Sequence, residues 1–165
     1  MTRKTRIRAA LVTATALVTT ATVTAGVSAA GNEEPEKPSK KQIAALFDGW
    51  NAALRSGDPH QVANRYAKDA VLLPTLSNQV RTDRAAIVAY MGHFLENKPA
   101  SKKIETHINV LDHNSALDSG VYEFTLTDHE TGDKRVVKAR YTYAYEKRGG
   151  TWLIVNHHSS AMPEG

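Results

Sequence analysis

The chain has 165 residues, no cysteine, and a formal net charge of +4 from 21 basic and 17 acidic side chains. Four of the basic residues lie within the first eight positions, and no acidic residue precedes Glu33. The remaining 17 basic side chains balance the 17 acidic ones, so the charge does not indicate a nucleic-acid partner, which needs a clustered positive surface. The lack of cysteine excludes disulfides, thiol nucleophiles and zinc–thiolate sites.

The first 30 residues are typical of a secretory signal peptide. A basic start precedes a stretch rich in Ala, Val, Leu and Thr from Ala9 to about Gly26, and small residues follow. This order predicts cleavage after Ala29 or Ala30. Six threonines make the stretch too polar for a membrane anchor, which needs roughly 20 predominantly apolar residues. We therefore expect a secreted, extracytoplasmic protein with no stable membrane insertion after cleavage.

The remainder of the chain is predicted to form one domain. Residues 31–38 are charged, contain proline and lack apolar side chains, which predicts a disordered linker. Residues 39–165 suit a single domain that buries about two-thirds of its unfolded-chain surface.

Two helices are predicted at the start of this domain. Ser39 and Gln42 have the spacing of a capping box, and apolar residues then recur at helical spacing, which predicts a helix that ends at Ser56. Asp58 followed by Pro59 predicts the start of a second, short helix. That helix is expected to bury Val62 and Tyr66.

A strand and a third helix follow. The apolar residues Ala70–Leu73 predict a strand that Pro74 ends. Thr82 or Asp83 is expected to cap the third helix, which ends before Pro99. The apolar residues of this helix that we expect to be buried are Ile87, Tyr90, Met91, Phe94 and Leu95.

From residue 103 the hydrophobic period changes from 3.6 to 2, which predicts strands. The predicted strands are Ile104–Asp112, Leu117–Thr127, Arg135–Lys147 and Thr151–Ser160. Helices first and hairpin-linked strands after them predict an α+β fold in which three helices pack on a curved antiparallel sheet. The last two strands are apolar or aromatic on both faces, so we expect self-association through the outer face of the sheet.

His157 and His158 are the most conspicuous candidates for chemistry. Adjacent strand residues point to opposite faces, so the two imidazoles cannot share one metal ion, and we expect no metal site. Either histidine could line a pocket as a hydrogen-bond donor or a general acid–base. A histidine that only satisfies its neighbours in the sheet is the structural alternative.

Two further groups of side chains invite a functional interpretation. Arg140 and Glu123 could form a cross-strand pair, either as a surface ion pair or as an anion clamp. Glu123 is the one acidic residue that we expect on an apolar strand face. The tyrosines that should converge between helices and strands suit a core or a ligand cavity equally. These tyrosines are Tyr66, Tyr90, Tyr122 and Tyr143.

Several motifs together resemble one known family. They lie in Phe47–Leu54, Tyr66–Asn78, Val137–Thr142 and Trp152–Pro163. Residues 39–164 resemble the bacterial, stand-alone relatives of the calcium/calmodulin-dependent protein kinase II association domain, within the nuclear transport factor 2-like (polyketide-cyclase-like) superfamily. This resemblance implies a cone-shaped fold with a cavity between the helices and the sheet. It also implies assembly through the sheet into a homodimer or a larger ring.

The resemblance also bears on the ligand. Arginines line the cavity of the kinase domain, and the matching positions here are Tyr122, Tyr143 and Ser159. An anionic ligand is therefore not implied, and a small neutral one is. We expect it to contact these three residues together with Tyr66 and Tyr90.

The sequence thus predicts a secreted, self-associating domain that binds a small neutral organic ligand. The alternative is a cofactor-independent isomerase, cyclase or dehydratase that uses a His/Tyr acid–base pair, with His157 or His158 facing Tyr122 or Tyr143. These 165 residues contain no kinase domain or calmodulin-binding segment. We accordingly expect no calmodulin, nucleic acid or cofactor as a partner.

Overall fold

The computed structural model describes residues 35–75 and 77–163. The predicted signal peptide and residues 31–34 of the predicted linker lie outside the described residues. Residues 35–38 form neither helix nor strand, and Lys37 donates a hydrogen bond of 3.1 Å to the Leu111 carbonyl. In the described ranges, no helix has the length and apolar character needed to cross a membrane.

Three helices and five strands follow in the predicted order. They are α1 (Lys40–Arg55), α2 (Pro59–Ala63), β1 (Tyr66–Leu73), α3 (Arg84–Glu96), β2 (Ala100–Val110), β3 (Ser115–Thr127), β4 (Lys134–Arg148) and β5 (Thr151–Ala161). α1 packs against β2 and β3, and α3 packs against β1. The predicted α+β class is confirmed.

Side-chain caps explain where the helices begin. Ser39 and Gln42 form the predicted capping box of α1. Asp58 caps α2 by accepting from the backbone N–H of His60 at 2.8 Å. Asp83, rather than Thr82, caps α3 by accepting from the backbone N–H of Ala86. The apolar stripe of α1 is buried against the sheet.

The sheet has the order β1-β5-β4-β3-β2, and its strands pair antiparallel except β1 and β5, which are parallel. The prediction of a wholly antiparallel sheet is therefore wrong. β1 is followed by α3 instead of a hairpin, so the chain has crossed over before it enters the antiparallel strands. β1 also begins earlier than predicted, so Tyr66 belongs to this strand and not to α2.

Two irregularities in strand pairing set which side chains face the helices. In β2, Lys103 pairs with Tyr122 and Glu105 pairs with Val121, so Ile104 is an extra residue. In β5, Val155 is extra in the same way, because its neighbours Ile154 and Asn156 pair with consecutive residues of β4. Each bulge inverts the alternation of inward and outward side chains beyond it.

The predicted pair of Arg140 and Glu123 does not form. Arg140 lies opposite Val121, whereas Glu123 lies opposite Lys138. The Glu123 carboxylate instead lies 2.9 Å from the Lys102 ammonium group on β2. Arg140 and Glu123 do lie on the same face of the sheet, as the sequence pattern predicts, but the pairing of β3 with β4 places them two residues apart.

The bulge in β2 requires glycine at position 120. A Cβ atom at Gly120 would lie 2.0 Å from the Glu105 carbonyl oxygen, which is backbone and cannot rotate away. We predict that Gly120→Ala lowers the free energy of unfolding by about 3 kcal/mol, because the two strands must separate locally. Chemical denaturation measures this change.

Gly92→Ala is the matched control. Gly92 lies within α3 with open space around its missing Cβ atom, so alanine should raise helix stability by about 0.5–1 kcal/mol. Equal effects of the two substitutions would contradict the role of the bulge.

Candidate functional site

A cavity of about 60 Å³ lies between α3, the segment after β1 and the inner face of the sheet. Its walls are mostly aromatic and aliphatic, and the lining side chains with polar groups include Thr75, Tyr90, Tyr122, His157 and Ser159. None of the described lining residues is charged. The space suits about two water-sized molecules. It is therefore smaller than the roughly 300–1,000 Å³ of a typical drug-sized site.

The bulge at Val155 decides which histidine reaches this cavity. Regular alternation from the buried Ile154 would turn Asn156 and His158 inward. Because of the extra residue, His157 is 3% exposed and faces the helices, while His158 is exposed on the other face. The prediction that the two imidazoles lie on opposite faces is confirmed.

His157 is held on both ring nitrogens by tyrosines. Its Nδ1 atom lies 2.8 Å from the Tyr66 hydroxyl, and its Nε2 atom lies 3.5 Å from the Tyr122 hydroxyl. The indole N–H of Trp50 donates to the Tyr66 hydroxyl at 3.1 Å. The imidazole stacks on the Tyr143 ring with 4.1 Å between the ring centroids.

The polar contacts continue to the segment after β1. The Tyr122 hydroxyl donates to Ser159 Oγ at 2.5 Å, and Ser159 Oγ contacts Thr75 Oγ1. Trp50, Tyr66, His157, Tyr122, Ser159 and Thr75 thus form one line of hydrogen bonds, which we call the polar chain.

The donors of the polar chain fix the tautomer of His157. An indole N–H can only donate, so the Tyr66 oxygen accepts from Trp50. The Tyr122 hydrogen is donated to Ser159, so the Tyr122 oxygen accepts from His157 Nε2, and the Tyr66 hydrogen is donated to His157 Nδ1. The ring proton of the neutral imidazole therefore resides on Nε2, which faces Tyr122 and the cavity.

Burial keeps these groups uncharged. It lowers the pKa of His157 to about 3, and the nearby His158 adds to this effect. Burial also raises the pKa of Tyr66 and of Tyr122 well above that of an exposed tyrosine. At neutral pH the polar chain is thus a set of neutral donors and acceptors, and His157 is a weak base.

The predicted ligand contacts divide into two groups. Tyr90, Tyr122 and Ser159 line the cavity together with His157. Tyr66 lies behind the imidazole and reaches the cavity only through it. Tyr143 is fully buried in the core, and its hydroxyl has no hydrogen-bond partner within residues 35–75 and 77–163.

Asp118 is a buried acidic residue that the sequence interpretation missed. Its carboxylate accepts from the Lys103 ammonium group and, at 3.0 Å, from the Tyr141 hydroxyl. The expectation that Glu123 is the one acid on an apolar strand face is therefore wrong. Asp118 lies an even number of residues from the buried Ala116 and Tyr122 on β3, so its side chain is on the same inner face. This alternation in the sequence could have revealed that Asp118 is buried.

The Lys103–Asp118 pair is structural in this arrangement. The Lys103 ammonium group also lies 4.8 Å from the centre of the Phe47 ring, so its charge is stabilised on two sides. A carboxylate that is fully buried needs such a partner, since an unpaired buried charge is costly. Neither residue lines the cavity. No group of three or more His, Cys, Asp or Glu in the described ranges could hold a metal ion.

Comparison with known proteins identifies the family. Residues 39–163 match the calcium/calmodulin dependent protein kinase II association domain. The chain belongs to this association-domain family. A solved structure from Xanthomonas campestris, provisionally described as such an association domain, is 53% identical, with a TM-score of 0.76. The match covers 80% of this chain and 96% of that one. A search of curated proteins gives no match.

More distant structures share the fold of this association domain. A nuclear transport factor 2-like protein from Salmonella enterica is 17% identical, with a TM-score of 0.63 over 76% of this chain and 95% of that one. A protein from Novosphingobium aromaticivorans, provisionally described as a scytalone dehydratase, is 13% identical. Its TM-score is 0.66, and the match covers 74% of this chain and 83% of that one. The predicted nuclear transport factor 2-like fold is confirmed.

The low pKa of His157 predicts a pH-dependent stability. In the unfolded chain His157 has an ordinary pKa of about 6.5 and binds a proton as the pH falls, whereas the folded domain resists protonation until about pH 3. Stability that is complete above about pH 6.5 is therefore lost as the pH falls toward 3. The loss from this one group should be about 2 kcal/mol at pH 5.

His157→Gln should remove that part of the pH dependence, which urea denaturation at pH 7 and pH 5 measures. His158→Gln is the control, because His158 is exposed on the opposite face and its replacement should leave the difference unchanged. The same pH dependence in both variants would show that His157 is not held neutral by the fold.

Proposed function

We propose that this association domain is secreted, assembles with copies of itself, and binds a small neutral organic ligand in the cavity. The observation that carries the ligand proposal is an apolar cavity whose few polar side chains are all neutral. A charged ligand would lose its hydration there without gaining an opposite charge from the described lining residues, which is costly.

Ligand entry requires a local opening. The cavity is too small for a molecule of more than a few heavy atoms, so a larger ligand must separate the Thr75–Ser159 contact or displace the aromatic side chains of α3. Thr75 lies just beyond β1, in the segment that a backbone bridge between Leu72 and Arg81 closes.

The outer face of the sheet supports self-association. The central strands β3 and β4 turn small or uncharged, half-buried side chains outward at Ser119, Val121, Thr142 and Ala144. Ser119 donates to Thr142 across the strands at 3.2 Å, which satisfies polar groups within the surface. These small side chains, which the exposed Arg140 borders opposite Val121, suit contact with a second copy of the same sheet.

Export is supported by the amino-terminal sequence. The basic start, the apolar stretch and the small residues before Gly31 have the order of a signal peptide. A chain without cysteine also keeps its fold in an oxidising compartment without pairing disulfides.

A second candidate function is a cofactor-independent isomerase, cyclase or dehydratase. The observation in its favour is that His157 faces the Tyr66 and Tyr122 hydroxyls beside one cavity. Proton abstraction works best when the pKa of the base lies near the working pH, and burial places that of His157 at about 3. We therefore favour binding over catalysis.

Assembly can be tested at Val121. Val121→Lys should place a second positive charge beside Arg140, which lies opposite Val121, and raise the dissociation constant of the oligomer at least about tenfold. Val80→Lys is the control, because Val80 is 52% exposed outside the sheet. Sedimentation velocity at micromolar concentration measures both. A parent protein that is entirely monomeric would refute the assembly proposal.

Binding and catalysis can be separated with 1-indanone, a small neutral aromatic ketone, in D2O. We expect the compound to shift the NMR signal of the Met91 methyl group, which lines the cavity, without exchange of its α-protons for deuterium. Ala139→Leu should abolish the shift by filling the cavity, with folding verified by thermal melting. Exchange that is lost in His157→Gln would instead favour the enzyme.

A further inference from the structure

We infer that the cavity selects ligands that carry a hydrogen-bond acceptor, such as a carbonyl oxygen, because the polar chain presents a spare donor hydrogen to it. This inference rests on the proposed ligand-binding function and specifies the chemical class of the ligand.

The polar chain has one more donor hydrogen than it has hydrogen-bond contacts. The polar chain contains six hydrogens, one each on Trp50, Tyr66, His157, Tyr122, Ser159 and Thr75, but only five contacts join these groups. Each contact uses one hydrogen. One hydrogen therefore remains without an acceptor in the described part of the chain.

Tyr122 determines at which end the spare hydrogen lies. Its hydroxyl donates to Ser159, so its oxygen accepts from His157 Nε2–H, and His157 Nδ1 in turn accepts from Tyr66. The hydrogens of Tyr66, His157 and Tyr122 therefore all point away from Trp50. The unused hydrogen must then reside on the Ser159–Thr75 pair, which lines the cavity. If Thr75 moves away during ligand entry, the Ser159 hydroxyl still has a hydrogen without an acceptor, so a donor remains in the cavity whether or not the Thr75–Ser159 contact is formed.

A second donor lies beside the first. The His157 Nε2–H group lines the cavity, and the Tyr122 oxygen that accepts from it is at 3.5 Å, the long limit of a hydrogen bond. Ser159 is 8% exposed and His157 is 3% exposed, so solvent reaches neither of these two donors freely, whereas Thr75 is half-buried. A buried donor without an acceptor is unfavourable, and a ligand oxygen would remove that cost.

The walls define the rest of the ligand. Tyr90, Phe94 and Phe124 line the cavity with aromatic rings, and Met91 and Leu126 add aliphatic surface. Once the cavity has opened, a flat apolar body suits the chemistry of these walls, and a single acceptor oxygen suits the donor end. The class that combines both is a small neutral aromatic ketone, aldehyde or ester.

The test compares three bicyclic compounds of similar size by isothermal titration calorimetry at pH 7. 1-Indanone offers an acceptor, indole offers a donor, and indane offers neither. We expect 1-indanone to bind at least about tenfold more tightly than indane, and indole to gain no such advantage, because only the ketone satisfies the spare hydrogen.

Hydroxyl variants locate the donor. Thr75→Val combined with Ser159→Ala removes both terminal hydroxyls and should reduce the preference for 1-indanone over indane. Thr75→Ser combined with Ser159→Thr keeps both hydroxyls and should keep the preference. A preference that is unchanged in the first variant would overturn the assignment of the donor to this pair.

Binding of the three compounds distinguishes the preference for a hydrogen-bond acceptor from ligand binding itself. Equal binding of the three compounds, or tighter binding of indole, would overturn the inference while supporting a ligand cavity. Failure of all three compounds to bind would overturn the ligand-binding proposal and this inference together.

Discussion

The extra residue in β5 is the feature on which the site depends. Val155 interrupts the alternation of the last strand, so that His157 and Ser159 join Ile154 on the inner face. Without the bulge, Asn156 and His158 would face the helices in place of His157 and Ser159. A change of one residue in strand pairing thus decides which side chains form the polar wall of the cavity.

The interior contains polar groups that are stabilised in two different ways. Near the cavity, the polar chain consists of neutral groups that satisfy one another, and burial keeps His157 uncharged. Under α1, Lys103 and Asp118 are buried as a charged pair, with Tyr141 as a third partner. Both arrangements obey the same rule, since a buried polar group must find a partner.

The cavity of this association domain has no charged side chain among its described lining residues, and the fold that contains it is a general one. The fold is shared with proteins as different as a nuclear transport factor 2-like protein and a protein provisionally described as a dehydratase. A shared fold does not carry a shared function, so the function must be argued from the side chains of the site. Here these side chains form a donor end against aromatic walls.

The sequence by itself determined the local structure and much of the domain character. The caps at Ser39 and Asp83, the helical period of α1 and the alternation of the strands are local patterns, and their physical causes act within a few residues. The balanced charge after the first 30 residues and the family motifs are also properties of the sequence alone.

Only the tertiary structure decided the parallel position of β1, the inward face of His157 and the partner of Asp118. These features depend on which strands pair and in which register. Residues 152–155 are all apolar and residues 156–160 are all polar, so their pattern does not reveal the bulge at Val155. The same holds for the polar chain, whose six members come from distant parts of the sequence. Their residue types were visible in the sequence, but the direction of their hydrogen bonds follows from the contacts that the folded chain allows.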